Sequence, residues 1–252
     1  MKIIAIDSSS LVASVAILED DTLIAEYNVN HKKTHSQTLL PMLDELKNMV
    51  ELDLTTIDAI CVSKGPGSFT GLRIGSATAK GLAQGLDIPI IEIGTLEGMA
   101  CNLYGTDAYV CPMMDARRGQ VYAGLYSYAS SDNGFKLLSD IEECAIAADE
   151  LLDQVYKLAV DNDKRVIFLG DGTPVHEELI KAKMADRYIF APAYMNRQRA
   201  AAFGLLAMDR LVRGEVVDCY SHTPDYLRLS QAERERNEGI THKGSNYSSS
   251  ND

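Results

Sequence analysis

The sequence predicts an α/β fold built twice, as two lobes that each hold a mixed sheet covered by helices, with the second lobe reduced. Three observations predict it. The first 30 residues follow the strand period of two, and the stretch that follows alternates helical-period segments with short β-branched runs. At Tyr109 the opening pattern begins again, "YVCPMMDARRGQVYAGLYSY" echoing "IIAIDSSSLVASVAIL". A strand meander followed by alternating helices and strands gives a mixed sheet with helical layers, and its return gives a duplication.

In order, Ile3 to Ile6, Leu11 to Leu18 and Thr22 to Val29 read as three strands, separated by the turns Asp7–Ser10 and Glu19–Asp21. Leu39, Met42, Leu43, Leu46, Met49 and Val50 share one helical face. Pro41 fits the first turn of such a helix, which places its start near Ser36 to Thr38. A strand Ile57–Ser63, a glycine loop, a helix Thr70–Leu86, a strand Pro89–Ile93 and a helix Thr95–Leu103 complete the first lobe. The second lobe has strands over Tyr109–Met114, Val121–Tyr128 and Phe135–Cys144, with a polar turn Asp115–Gln120. A helix Asp149–Val160, a strand Arg165–Leu169 and a helix Pro174–Lys183 follow. The expected boundaries are 1–105 for the first lobe and 106–195 for the second. Residues 196–230 then form a helix, Asn196–Arg213, and a segment packing back on the first lobe. Residues 231–252, polar and Ser/Asn-rich, are expected to be disordered.

The 252 residues carry 46% apolar side chains and a net charge of −12. That charge argues against a surface that binds nucleic-acid backbone directly. The short basic pairs Lys32-Lys33 and Arg117-Arg118 read as solvated surface. Five cysteines without a C-x-x-C suit a reducing compartment. With no signal-peptide core and no apolar run of bilayer length, a cytoplasmic location is expected and no membrane contact.

The loop "KGPGSFTGLRIG" (64–75) tests negative for two phosphate motifs. A P-loop needs Gly-Lys-Ser/Thr five residues after its first glycine, but Thr70 and Leu72 stand there. The dinucleotide spacing G-x-G-x-x-G fails by one residue at Gly71. The loop instead reads as a strand-to-helix corner, with Ser68 or Thr70 accepting from free helix amides. Gly71, Gly75 and Ala79 form a small-residue stripe at a helical cost of about 1 kcal/mol per glycine. Arg73 is a cation in the first turn, where the helix dipole disfavours it unless an anion lies near. The stripe packs either on the chain's own sheet or on another molecule, and periodicity alone leaves both open.

The motifs "IDSSS", "HSQTLLPML", "KGPGSFTGLRIG", "MDARRGQVY" and "PDYLR", in this order over residues 1 to 230, resemble the bacterial TsaB family. That family falls within the duplicated actin, sugar-kinase and Hsp70 superfamily, whose ribonuclease H-like lobes hold five-stranded-type mixed sheets. TsaB proteins are subunits of the machinery that makes threonylcarbamoyladenosine on tRNA. The resemblance implies a non-catalytic scaffold that binds and activates the catalytic relative TsaD, with the ATPase TsaE in the larger assembly, tRNA met only through the complex, and a competing homodimer. It places the interface on Leu39, Leu40, Met42, Leu43, Leu46, Gly71, Arg73, Gly75, Ser76 and Ala79, and implies that Gly75→Arg would block the partner while leaving the fold intact.

TsaD-like proteins carry a metal-binding H-x-E-G-H, and the matching stretch here is Thr95-Leu96-Glu97-Gly98-Met99, which keeps Glu-Gly and neither histidine. No metal, catalytic residue or required cofactor is therefore expected. Asp7, Ser8, Ser9, Asp115, Gly170, Asp171 and Gly172 stand where the superfamily contacts a nucleotide, so they would hold ATP or ADP weakly. Alternatively, Asp7 and Asp115 are turn residues that cap local amides. The rival class is an autonomous enzyme, either an ATPase on Asp7 and 170–172 or a metallohydrolase on His31 and His35. Those two histidines have helical spacing but no glutamate between them and no third ligand among the scattered His176, His222 and His242.

Overall fold

The computed structural model describes residues 1–132 and 134–227, so the expectation for the 231–252 tail falls outside the described residues. Strands β1 (Lys2–Asp7), β2 (Val12–Glu19) and β3 (Thr22–Asn30) form the predicted meander. Then come α1 (His35–Met49), β4 (Ala59–Gly65), α2 (Phe69–Leu86), β5 (Ile90–Gly94) and α3 (Thr95–Ala100). The sheet order is β3-β2-β1-β4-β5, antiparallel across β1–β3 and parallel from β1 through β4 to β5.

The second half repeats this with β6 (Tyr109–Arg117), β7 (Gln120–Ser131), β8 (Gly134–Ala147), α4 (Ala148–Asp161) and β9 (Val166–Leu169). The short helices α5 (Gly172–Val175) and α6 (Glu177–Met184), β10 (Tyr188–Phe190) and α7 (Ala200–Val212) complete it. Its order, β10-β9-β6-β7-β8, is the first sheet's topology over again. Both sheets thus keep five strands, the duplicated actin-like arrangement. The reduction lies in the helices: where the first half has the 18-residue α2, the second has α5 and α6, broken at His176.

Alternation along β1 divides its side chains between two layers. Ile4 and Ile6 face α1 and α2, packing with Leu39, Leu46, Ala79 and Ala83, whereas Ile3 and Ala5 face α7 and pack with Ala200, Phe203 and Ala207. In the second sheet, Cys111, Val121 and Leu125 pack under α4 and α6, and Val110, Tyr126 and Leu169 pack under α3. Helix α3, which ends the first half, therefore covers the second sheet, and α7, which ends the second half, covers the first. The two helices meet where Gly98 lies against the Phe203 ring.

Several boundaries differ from expectation for identifiable reasons. Helix α1 begins at His35, one to three residues before the sequence suggests, which puts Pro41 past the first turn. The proline lies on the exposed side, so the carbonyl it leaves without a partner can be hydrated. Helix α7 begins at Ala200, not Asn196, because its first amides are capped from the first sheet. The Ser14 hydroxyl accepts from Ala200 N at 2.7 Å and the Glu26 carboxylate from Ala201 N at 3.0 Å, with Arg199 paired to Glu26. The hairpin after β6 turns only at Arg118-Gly119, its strand running on to Arg117. β10 is a three-residue strand that the sequence reading passes over. No helix among the described residues is long and apolar enough to cross a membrane.

A methyl group at Gly98 would sit 2.6–2.7 Å from three atoms of the buried Phe203 ring. Gly98→Ala is therefore expected to destabilise the fold by about 1–3 kcal/mol by overpacking, although helix propensity alone would make it stabilising by about 1 kcal/mol. Urea unfolding of the two proteins decides the sign.

Candidate functional site

The glycine loop is shaped by what presses on its backbone. Gly65, with φ of +123°, approaches so close to the Asp225 carbonyl that any Cβ would overlap it, and a Cβ at Gly71 would overlap the Ser8 carbonyl. Ser68 caps α2, its hydroxyl accepting from Gly71 N at 3.3 Å, as the corner reading requires. Ser68 N donates to Ser9 O at 2.7 Å, and the Ser8 hydroxyl donates to Gly71 O at 2.9 Å. The loop is thus packed onto the β1–β2 turn, so the two segments fill each other's space.

Asp7 lies beneath this contact, fully buried. Its Oδ1 accepts from Ser9 N at 3.3 Å and its Oδ2 has no partner among the described residues. Burial raises its carboxyl above the ordinary aspartate range, and the polar neighbours Ser63 and Ser9 oppose the shift without cancelling it. Across a cleft of about 680 Å³, Asp115 is exposed and caps its own turn, accepting from Arg117 N at 2.7 Å. Asp171 accepts from Asp115 N at 3.1 Å, and burial raises its carboxyl too. The Gly170–Gly172 turn packs on the Met113 carbonyl. Ser9, Asp115 and Asp171 therefore share one cleft, with Asp7 and Ser8 behind its wall. The two aspartates both perform the local capping that the turn reading gave them.

The positions matching the TsaD metal motif do not fit a metal. Thr95 and Met99 are fully buried, Met99 in the apolar core between the sheets, and Glu97 is taken by a bidentate pair with Arg210 at 2.7 and 2.8 Å. His31 is exposed in the bend before α1, whereas His35 opens the helix with Nε2 2.7 Å from Ser10 O, so the two do not share a helical face. Among the described residues no group of three metal-ligating side chains occurs.

The residues that the resemblance assigns to an interface are mostly buried within this chain. Leu39, Met42, Leu43 and Leu46 are 1–6% exposed and belong to the core beneath α1, where they contact the chain's own sheet. Gly71, Gly75, Ser76 and Ala79 are likewise buried, so the small-residue stripe faces inward and packs on Ser8 and the sheet. Of the ten residues named, only Leu40, 53% exposed, and Arg73 are exposed. Gly75→Arg would drive a long side chain into Ser8 and Val62, so it tests the fold and not the interface. Sequence periodicity missed a second stripe on the outer side of α2, Arg73, Ala77, Gly81 and Gly85, at the same spacing of four. A Cβ at Gly81 or Gly85 meets nothing within 4 Å. Two glycines four residues apart in one helical stretch, Gly81 and Gly85, were the available signal.

Because the folded-state carboxyl of Asp7 is raised, the folded chain binds a proton more tightly than the unfolded one. Stability is then highest below the unfolded aspartate value and falls as pH rises through the folded one. Asp7→Asn removes that fall: its melting temperature is expected to exceed the parent's at pH 7, with the advantage closing as pH drops below about 4. Equal differences at both pH values would show that Asp7 is not raised.

Comparison with known proteins agrees with the geometry. A family model described as "TsaD: tRNA N6-adenosine threonylcarbamoyltransferase" matches residues 22–236. The chain is 36% identical to the tRNA threonylcarbamoyladenosine biosynthesis protein TsaB of Bacillus subtilis, over 92% of this chain and 96% of that one. It is 32% identical to its Haemophilus influenzae counterpart over 76% and 81% of the two chains. Among solved structures, YeaZ from Pseudomonas aeruginosa superposes with a TM-score of 0.70 at 26% identity, covering 89% of this chain and 99% of that one. The chain belongs to the TsaB family, within the wider group of TsaD-related proteins.

Proposed function

We propose that this chain is a non-catalytic scaffold and activator in tRNA threonylcarbamoyladenosine biosynthesis, which docks a TsaD protein on the outer faces of α1 and α2. The observation that carries this reading is the outer stripe Ala77, Gly81 and Gly85. Gly81 costs the helix interior about 1 kcal/mol relative to alanine, Gly85 stands in the last turn, and among the described residues nothing lies within 4 Å of a Cβ built on either one. A helix from another molecule could come close there. Helix α1 lies beside α2 on the same side of the sheet and carries the exposed Leu40 and Met49 on opposite flanks of its buried stripe.

A partner of the same fold would present an equivalent pair of helices, so the contact becomes a four-helix layer. A second copy of this chain would compete for the same face. Association costs about 4–15 kcal/mol before any net affinity appears, so the interface must extend well beyond these few side chains. In this reading the chain stabilises the working conformation of TsaD, the assembly recruits the ATPase TsaE, and tRNA is held by the complex. Any ATP or ADP bound weakly in the cleft is incidental to docking. Reconstituted tRNA modification, with this subunit omitted and then restored, tests the role, and ATP turnover and metal content of the isolated chain test the rival enzyme reading.

Gly81→Arg separates docking from folding. It places a bulky cation on the outer stripe where there is room for it, so the melting temperature is expected to hold or rise. Affinity for TsaD by calorimetry is expected to fall about tenfold or more, a loss of at least about 1.4 kcal/mol. Unchanged affinity sinks the α2 docking face.

A further inference from the structure

We propose that Arg73 is a preformed receptor for a carboxylate side chain of the partner protein, held ready by a strap formed from residues 217–227. The proposal rests on the docking reading above and names its electrostatic anchor. The guanidinium lies 3.9 Å from the centroid of the Phe69 ring, and its Nε donates to the Tyr226 hydroxyl at 3.2 Å. Phe69 and Tyr226 pack on each other at 4.7 Å between centroids. Stacking and one hydrogen bond thus fix the plane of the fork, while both Nη groups lack a hydrogen-bond or ion partner among the described residues.

Arg73 stands in the first turns of α2, where the helix dipole disfavours a cation and the helix's own first turn carries no acidic residue to offset it. In a chain of net charge −12 an exposed arginine without a carboxylate is out of keeping with its surroundings. An incoming carboxylate would satisfy both Nη groups side by side, the geometry in which arginine binds most strongly. A nucleic-acid backbone suits the site less well, because Asp115, Asp171 and Asp225 line the adjoining cleft and would repel successive phosphates.

The strap is fastened at three points. Val217 and Ile90 exchange backbone hydrogen bonds of 2.8 and 2.9 Å, and Asp225 N donates to Lys64 O at 2.6 Å. Between them the fully buried His222 sits with Nδ1 2.6 Å from Glu92 Oε1 and Nε2 2.8 Å from Ser76 Oγ. Hydroxyl, imidazole and carboxylate stand in the order of a nucleophile relay. Since Ser76 and His222 are buried and neither lines the interlobe cleft, the chain acts as a fastening across α2 and β5. It delivers Tyr226 to Arg73.

Calorimetry of the full chain with its cognate TsaD, at low and high salt, tests this. Arg73→Gln is expected to weaken binding about 30-fold or more, with Arg73→Lys restoring only part because the fork is lost. Tyr226→Phe, which keeps the ring, is expected to cost about threefold. The salt dependence of affinity should diminish in Arg73→Gln, which loss of packing alone would not produce. If the parent binds TsaD and Arg73→Gln binds within twofold, the carboxylate receptor is overturned and the docking reading stands. If the parent does not bind, docking itself fails and the receptor with it. If Arg73→Gln keeps its affinity for TsaD but loses affinity for unmodified tRNA in filter binding, the anion is a phosphate and the proposal is overturned.

Discussion

The structure depends on one reciprocal exchange: the last helix of each half packs on the sheet of the other. Helix α3 closes the second sheet and α7 the first, and the two meet through the van der Waals contact of Gly98 with Phe203. Separating the halves would expose Leu96, Met99 and Ala100 on one side and Ala200, Phe203 and Ala207 on the other. At about 25 cal/mol per Å² of apolar surface, that is a large cost. Polar ties reinforce the exchange. Glu143 of β8 caps the start of α3, accepting from Glu97 N at 3.0 Å while Tyr126 donates to it at 2.8 Å, and the Ser10 hydroxyl donates to buried Gln198 at 2.9 Å. A cleft between two lobes joined in this way has little freedom to open and close around a ligand.

The same exchange accounts for the fate of the metal-motif positions. In a chain whose α3 serves as core between two sheets, residue 99 points into apolar packing, where methionine fits and imidazole would be a buried polar group in need of a partner, while the buried Thr95 hydroxyl has no hydrogen-bond partner among the described residues. Glu97, which the motif retains, is turned to structural use in its pair with Arg210. The glycine loop follows a parallel logic. Its glycines admit the backbones of Ser8, Ser9 and Asp225, so what looks like a cradle for a phosphate is occupied by the chain itself.

Most of the architecture is legible in the sequence because it rests on local patterns: alternation marks β1 to β3, helical period marks α1, α2 and α4, and the echo at Tyr109 marks the duplication. What escapes is whatever depends on distant partners. The start of α7 is set by Ser14 and Glu26, more than 170 residues away in the chain. His222 looks isolated in the sequence, and only folding brings Ser76 and Glu92 to it from 146 and 130 residues away. The docking face shows the limit most clearly. Periodicity identifies that Leu39, Met42, Leu43 and Leu46 share a side of α1, but it carries no information on whether a sheet or another protein meets that side.

That correction sharpens the docking argument. With the apolar side of α1 and the inner stripe of α2 committed to the core, a partner cannot be held by a second hydrophobic core laid open on the surface. On the docking reading proposed above, the holding contacts would be close backbone approach along Ala77, Gly81 and Gly85, scattered side chains such as Leu40 and Met49, and charge. Close helix approach gains dispersion contacts that fall off steeply with distance, so a helix docked there as proposed would need small side chains at the crossing. A surface of this kind selects its partner by shape and by the placement of a few charges. Such a face can remain exposed on an unpartnered chain without the aggregation that a broad apolar patch invites.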